Sequence, residues 1–526
     1  SAQKTGFSKS EYPDVILLLG KTINLDFTLQ VGQVKETIVV SGTLTIIDTG
    51  TTAVTHNVTA DEFDYMPKGR SFQSVALSSP SVNSGDIEGG IQVNGASGAE
   101  NQFTVDGIST TSLLDGSSRM DAAYEYLQEV QVKTSGLDAE YGGALGGVIS
   151  AVTKSGGSEF HGEFHWYNSG SPFNTAPVLR LETDPSDDRI SEYVQDNEFS
   201  DHVNEIGGSV GGYIVKDKLF FFTSFSPQFR RQNSTIEFSD GPSNFKSNRT
   251  AYNLFNKLSW DATKRIRTNF AWLYNTTKRD GLLPGYSDLA PNSNLNTAST
   301  YDTYPTQGWY IPKNSYTGTV DITLSSTSLL SFRGGYFWDN YKDLGAPSTI
   351  QVRYNATAEG LPFTIPADYV HPVGWYNVPL TTVNYHDITS RGFLQADYSK
   401  SFRFLGTHFF KVGAGFQKTV NNVNQVYQGG NGDAIYWNRD YLTAGNRGAW
   451  GYYRIRVYGT SGSAGSTIDN LYIQDQWRIL PRLTLSLGLR TENEKIPSMR
   501  PDIQKIAMHF SWGDKLAPRL GASLDV

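Results

Sequence analysis

Tyr316-Thr317-Gly318-Thr319-Val320-Asp321-Ile322-Thr323-Leu324 decides the fold, because its even positions are apolar or glycine and its odd positions are polar. A period of two puts the two sets on opposite faces of a β-strand, one suited to an apolar medium and one to a wet one. Arg482 to Arg490 repeats the pattern, with Leu483, Leu485, Leu487 and Leu489 set against Thr484, Ser486, Gly488 and Arg490. Ile266, Thr268, Phe270, Trp272 and Tyr274 oppose Arg267 and Asn269, and Leu330, Phe332, Gly334, Tyr336 and Trp338 oppose Ser331, Arg333 and Asp339. Asp475 interrupts one such face, between Ile473 and Trp477. A charge facing lipid at mid-depth costs about 2–4 kcal/mol, so Asp475 is expected near a rim.

Twelve segments of this kind are expected, near 159–168, 203–215, 218–231, 250–261, 264–278, 314–325, 328–341, 387–400, 404–422, 467–479, 482–494 and 515–526. Their connections alternate. Short ones fall at Lys216-Asp217, Ala262-Thr263, Ser326-Thr327, Ser401-Phe402 and Leu480-Pro481. Long ones fall at 169–202, 232–249, 279–313, 342–386, 423–466 and 495–514. Short turns at one end and long loops at the other are the habit of an outer-membrane barrel. The expected class is therefore mainly β: a transmembrane antiparallel up-and-down β-barrel. The longest aliphatic run, Val15 to Leu19, is far below the roughly 20 residues of a membrane helix. Mean hydropathy is −0.38, but a closed barrel crosses lipid without a hydrophobic run. Aromatics at 13% suit interfacial girdles. A secreted sandwich or propeller shares that composition yet has no reason to alternate its links.

The same composition closes other routes. With no cysteine there is no disulfide scaffold or thiolate metal site. A net charge of −8 leaves no excess of cations to track phosphates, so nucleic acid is excluded as a partner. No HExxH, phosphate-binding loop or nucleophile elbow is present, and no enzyme or cofactor is expected. His161 and His165 share a strand face without a third ligand nearby in sequence, and Gly429-Gly430-Asn431-Gly432-Asp433 lacks the acidic repeat of a calcium loop, so it is taken as a turn. No metal site is assigned. The opening SAQKTGFSKS carries no leader, which an exported chain is expected to have lost.

Ahead of the strands, residues 43–157 are glycine-rich and weakly alternating, with helix-like stretches at Thr59–Tyr65 and Ser71–Leu77. A compact α+β unit leading straight into strands suits a plug in a wide lumen. Asp106-Gly107 is a hairpin-turn dipeptide, while Gly142 and Gly147 permit close backbone approach. Residues 1–33 hold two strand-like runs, Asp14–Leu19 and Ile23–Leu29.

Several blocks resemble TonB-dependent outer-membrane receptors, most closely the Oar-like group with a carboxypeptidase-regulatory-like domain in front. They are Met66-Pro67-Lys68-Gly69-Arg70-Ser71-Phe72, Ile91-Gln92-Val93-Asn94-Gly95, Phe103-Thr104-Val105-Asp106-Gly107-Ile108, Ala139-Glu140-Tyr141-Gly142, Gly146-Gly147-Val148-Ile149 and Thr153-Lys154-Ser155-Gly156. In the barrel, Leu471-Tyr472-Ile473-Gln474-Asp475-Gln476-Trp477-Arg478 and Gly488-Leu489-Arg490 add to the likeness. Glu36-Thr37-Ile38-Val39-Val40-Ser41 resembles a TonB box, a strand that an energy-coupling protein grips by strand addition; a linker strand is the plain alternative.

The resemblance implies a 22-strand barrel, of which about twelve are here, and this organisation: 1–33, the end of a regulatory-like β-sandwich; 34–42, the TonB-box-like linker; 43–157, the plug; 158–526, the N-terminal half of the barrel. It implies outer-membrane active transport of a bulky nutrient of siderophore, glycan or peptide type. The implied partners are a TonB-type inner-membrane complex, outer-membrane lipid, the bulky ligand and a surface lipoprotein. Surface organisation, adhesion or export on the same scaffold, and a secreted carbohydrate-binding β-protein, are the rival readings. Trp309-Tyr310, Trp375-Tyr376, Trp437 and Trp450 fall in expected loops, as candidate ligand contacts or as packing.

Overall fold

The computed structural model describes the chain apart from residues 1, 12–17, 21–26, 32–36, 40–50, 64, 67–68, 86–89, 113–116, 121, 177, 185–186, 196–199, 239–240, 284–305, 346–350, 355, 357, 359, 362–363, 372–382, 428–431, 447, 457–458, 481, 499–503 and 525–526. One antiparallel sheet dominates, its neighbours following chain order: His161–Gly170, Ser200–Val215, Leu219–Phe238, Gly241–Thr263, Ile266–Asp280, Gly308–Ser325, Ser328–Leu344, Val383–Arg403, Thr407–Tyr427, Gly459–Leu480 and Leu483–Pro497. Ile506–Phe510 and Ala517–Leu524 then share the free edge of Leu483–Pro497, one against Glu494–Pro497 and the other against Leu483–Arg490. They are one strand position interrupted by a bulge in which Asp514 accepts hydrogen bonds from Ser511 at 2.7 and 2.8 Å. Twelve positions result, the number expected. The first and last pair on one side each among the described residues, so the sheet does not close on itself.

Several of the expected loops need correction. The link 232–249 is not a loop, because Leu219–Phe238 and Gly241–Thr263 stay paired from Leu219↔Trp260 to Phe238↔Gly241. A strand needs only about 9–11 residues to cross lipid, so the rest of this 20- and 23-residue hairpin stands in water. Arg231-Gln232-Asn233-Ser234-Thr235 is polar on both faces, and pairing there leaves no hydrophobic period to read. Trp309 and Tyr310 likewise belong to a strand, Gly308–Ser325. The expected loops 342–386 and 423–466 contain strands too: Gln351–Tyr354, Gly432–Trp437 and Gly451–Arg456 form a small sheet of their own. So do 169–202, where Arg180–Asp184 pairs with Asp187–Val194, and 495–514, which holds Ile506–Phe510. Most of the two runs expected within 1–33 lies outside the described residues.

The period of two sorts the wall into two faces. Outward-facing Leu394 and Leu520 are 67% and 79% exposed, whereas inward-facing Phe222, Phe255 and Phe337 are each 1% exposed. What covers the inner face is the segment between residues 51 and 157. It is a five-stranded mixed sheet ordered Val54–Thr59, Leu127–Ser135, Val148–Thr153, Gln102–Val105, Ile108–Ser109, with short helices at Ala60–Phe63 and Phe72–Ala76. Asp106 and Gly107 both take positive φ, 47° and 84°, and join two strands by the two-residue turn their identities dictate. Phe72, Ile108, Leu127, Val130 and Ile149 fill the core of this unit, and the same cluster continues into the wall through Phe222, Phe255, Leu273 and Phe337. Tyr126 stacks on Phe255 with ring centroids 5.0 Å apart. The lumen is thus a packed interior on this side.

The step from plug to wall passes Gly156. A Cβ there would lie 2.1 Å from the Phe221 carbonyl oxygen and 2.5 Å from that of Gly212, both wall backbone that cannot yield. Gly156→Val is therefore expected to block seating of the plug, seen as rapid proteolysis of residues 51–157 in detergent-solubilised protein. Phe255→Ala, which removes the Tyr126 stack and leaves a cavity, should cost about 3–5 kcal/mol of stability in denaturant titration.

Candidate functional site: the seam between plug and wall

The plug meets the wall through ionic and polar contacts spread around the inner face. Arg70 leaves the turn before the helix Phe72–Ala76 and donates to Glu205 on the second wall strand, Nε to Oε2 at 3.1 Å, while also pairing with Glu125 inside the plug. Its guanidinium lies between the rings of Tyr124 and Tyr167, 4.4 and 4.1 Å from their centroids. Burial pushes the Glu125 carboxyl above its ordinary range, against the pull of Arg70. His165 adds a contact to Ser226 at 3.1 Å. Glu125, His165 and Glu205 have donor atoms within 4.8 Å of one another, but Arg70 reaches both carboxylates and already supplies the cation there.

Further along the wall, Lys257 donates to the Thr153 carbonyl at 3.1 Å and hydroxyl at 3.0 Å, and Asp106 accepts from the Thr153 N–H at 3.0 Å. Plug residue Arg119 pairs with Asp339 at 2.6 Å and reaches Asp387 at 3.7 Å, both carboxylates fully buried. Arg391 points the other way, from wall to plug, and donates to the carbonyls of Ser109 at 2.7 Å and Thr111 at 3.0 Å. On the far side Lys411 pairs with Glu140 at 2.5 Å, Gln474 accepts from the Glu140 N–H at 3.0 Å, and Arg490 donates to the carbonyls of Ala139 and Glu140 at 3.3 and 3.2 Å. Burial alone would raise the Glu140 carboxyl, but Lys411 beside it holds it below the ordinary range. The contribution of that pair is therefore present at neutral pH and is lost only as pH falls through the depressed value.

Of the residues singled out from sequence, Arg70, Asp106 and Glu140 lie in this seam. Lys154 stands 3.9 Å from Glu163 of the first wall strand. A side chain on Gly142 would strike Arg490 and Glu492, and one on Gly147 would strike Val93 at 2.8 Å. A Cβ on Gly69 would meet Ser74 at 3.1 Å, Gly95 takes a positive φ of 79° in a turn, and Asn94 donates to the Thr134 carbonyl at 2.8 Å within the plug. The wall partners Glu205, Lys257, Asp339, Asp387, Arg391, Lys411 and Arg490 were not singled out as site residues. Their signal was present as charges on the polar face of a strand, but a period of two does not say whether that face meets water or protein.

Thr37–Val39 forms a strand that pairs in parallel with Lys9–Glu11, Lys9 opposite Thr37 and Glu11 opposite Val39. Glu36, Val40 and Ser41 lie outside the described residues, as do Trp375 and Tyr376. Trp437 and Trp450 do come together, with ring centroids 6.2 Å apart on the small loop sheet. Asp475 sits five residues from the Leu480 turn and pairs with His408 at 2.6 Å, in keeping with a place near a rim.

Comparison with known proteins matches the fold. The family described as an outer membrane beta barrel domain matches residues 152–371 and 243–505. The TonB-dependent transporter Oar of Myxococcus xanthus is 25% identical over 602 aligned residues, which take in 99% of this chain and 54% of that protein. The chain thus spans about half the length of this curated relative. Among solved structures, the outer membrane transporter YddB of Escherichia coli aligns with a TM-score of 0.58 at 15% identity, over 89% of this chain and 58% of YddB. The siderophore receptor PirA of Acinetobacter baumannii aligns with a TM-score of 0.52 at 17% identity, over 84% and 56%. These likenesses concern the fold.

The seam makes a quantitative prediction. Lys411→Ala strands the Glu140 carboxylate and should cost about 1–3 kcal/mol. Adding Glu140→Ala should recover part of that loss, so a double-mutant cycle by denaturant titration should give a positive coupling energy.

Proposed function

Because the chain belongs to the outer membrane β-barrel domain family and lies in the Gram-negative outer membrane, we propose that it is the plug-bearing part of a TonB-dependent transporter for a bulky ligand. The observation that carries this reading is a folded plug inside the wall, fixed by separate ion pairs and hydrogen bonds rather than by chain connectivity alone. Each contact contributes little, about 0.5–3 kcal/mol, and each can be exchanged for water as the plug shifts. An open passive pore is a poor match for a lumen face buried against plug residues such as Tyr126 and Ile108.

In this reading a ligand lands on the loops and the upper plug, and tension on residues 36–41 is transmitted to the plug from the periplasm. Strand addition suits that grip, since an extended segment offers its backbone to the partner. The siderophore, glycan and peptide classes are the candidates for cargo, and the relatives are named as transporters and receptors. Surface organisation by the same scaffold is the rival. It places the functional weight on the loops and gives the coupling stretch no role.

Deletion of residues 36–41 from the full-length protein separates the two. It should leave outer-membrane insertion intact and abolish co-purification with the periplasmic domain of the host's TonB. Undiminished co-purification would refute the coupling assignment.

A further inference from the structure

The turn Leu19–Gly20 comes ahead of the plug in the chain and is bound to the plug's sheet. The Leu19 N–H donates to both carboxylate oxygens of Glu129, at 3.1 and 3.0 Å. The Leu19 carbonyl accepts from the Asn57 amide at 3.1 Å and from the Gln131 amide. Gly20 takes a positive φ of 67°, and a Cβ there would already lie 3.1 Å from the Gln131 side chain. The two plug strands that receive the turn, Val54–Thr59 and Leu127–Ser135, are paired neighbours.

This contact stands at the mouth of a space. A chamber of about 640 Å³ between plug and wall is lined by Leu19 and Gly20, by the plug's Glu140 and Tyr141, and by the short-turn ends of the wall strands, including Thr327 and Ser401. Leu19, Glu140 and Tyr141 also line a second space of about 530 Å³ that continues upward past Ser109 and Gln395. The two spaces follow the polar side of the lumen, with the segment around Glu140 between them.

We propose that the Leu19–Gly20 turn is a second, lower stopper: an autoinhibitory contact that shuts the periplasmic mouth of this passage until the segment ahead of the plug is drawn off. Glu129 is 6% exposed and is met here by neutral donors, Leu19 and Asn57. When the Leu19 N–H leaves, water replaces it at the carboxylate while Asn57 of the plug stays bound, so the contact closes at rest and parts at small cost. The release also has a handle. Thr37–Val39 is paired with Lys9–Glu11, and Leu19 lies between these strands in the chain, so a partner that takes Thr37–Val39 as its own strand breaks that pairing and draws on the segment that carries Leu19. The release, though not the contact, rests on the coupling reading proposed above.

The chain has no cysteine, which makes the test clean. In the full-length protein, Ser401→Cys in the chamber is labelled with a bulky maleimide in detergent. Slow labelling is expected, rising at least tenfold when Glu129→Ala and Asn57→Ala are added, with no coupling protein present. Adding the periplasmic domain of TonB should raise labelling of the unmodified contact by a similar factor. In a second variant, Leu19→Cys with Asn57→Cys is added and oxidised before Ser401→Cys is labelled. That cross-link should form readily and cancel the effect of TonB, and reductant should restore it. Equal labelling with and without the alanine pair, or failure of the cross-link to form, would overturn the stopper. A TonB effect missing while the alanine effect remains would overturn the release step and count against the coupling reading, leaving the closure itself standing.

Discussion

A strand in hydrocarbon has no water to satisfy its N–H and C=O groups, and that one constraint organises the whole molecule. It explains why eleven consecutive strands pair with their chain neighbours over long registers, and why even the interrupted twelfth position keeps pairing on both sides of its bulge. It also explains why the outer face is free to be apolar and the inner face to be anything the plug requires. The wall is held by backbone, so its side chains are available for other work.

The inner face uses that freedom in two ways. Near the third to seventh strands it is greasy, and Phe222, Phe255, Leu273 and Phe337 merge with the plug core. Elsewhere it carries charges that meet plug groups of opposite sign or bare carbonyls, as Lys411 meets Glu140 and Arg391 meets Ser109. The apolar part fixes where the plug sits. The ionic part can be dismantled contact by contact, and the Leu19 backbone repeats the same device on Glu129.

Most of the wall was legible in the sequence because lipid imposes a strict period, and the twelve strand positions follow from it. Two of the five short turns were misplaced: Ala262-Thr263 and Ser401-Phe402 still lie within paired strands, and the chain reverses at Lys264-Arg265 and Phe404-Leu405-Gly406. The hairpin beyond Arg231 and the small loop sheet were not legible, since strands that stand in water need no alternation. Within the plug, the Asp106-Gly107 turn could be read because its φ values demand those residue types. The seam could not: Asp339 and Arg119 are 220 residues apart, and nothing local in either tells of the other. Leu19 was beyond reach for a different reason. It binds through its backbone, and a peptide group looks the same under every side chain.

The run Phe220-Phe221-Phe222 has the look of a lapse in the alternation, since three large apolar residues stand in a row. With Phe221 turned outward and Phe222 against the plug, both sides of the wall are dry there, and water or a hydrated solute has no foothold. The interior is consequently lopsided, insulated along one flank and wettable along the other, where Arg333, Gln395, Gln417 and Asn470 face inward. Along the described wall a hydrated group finds polar partners on that flank, a bias laid down by the placement of phenylalanine.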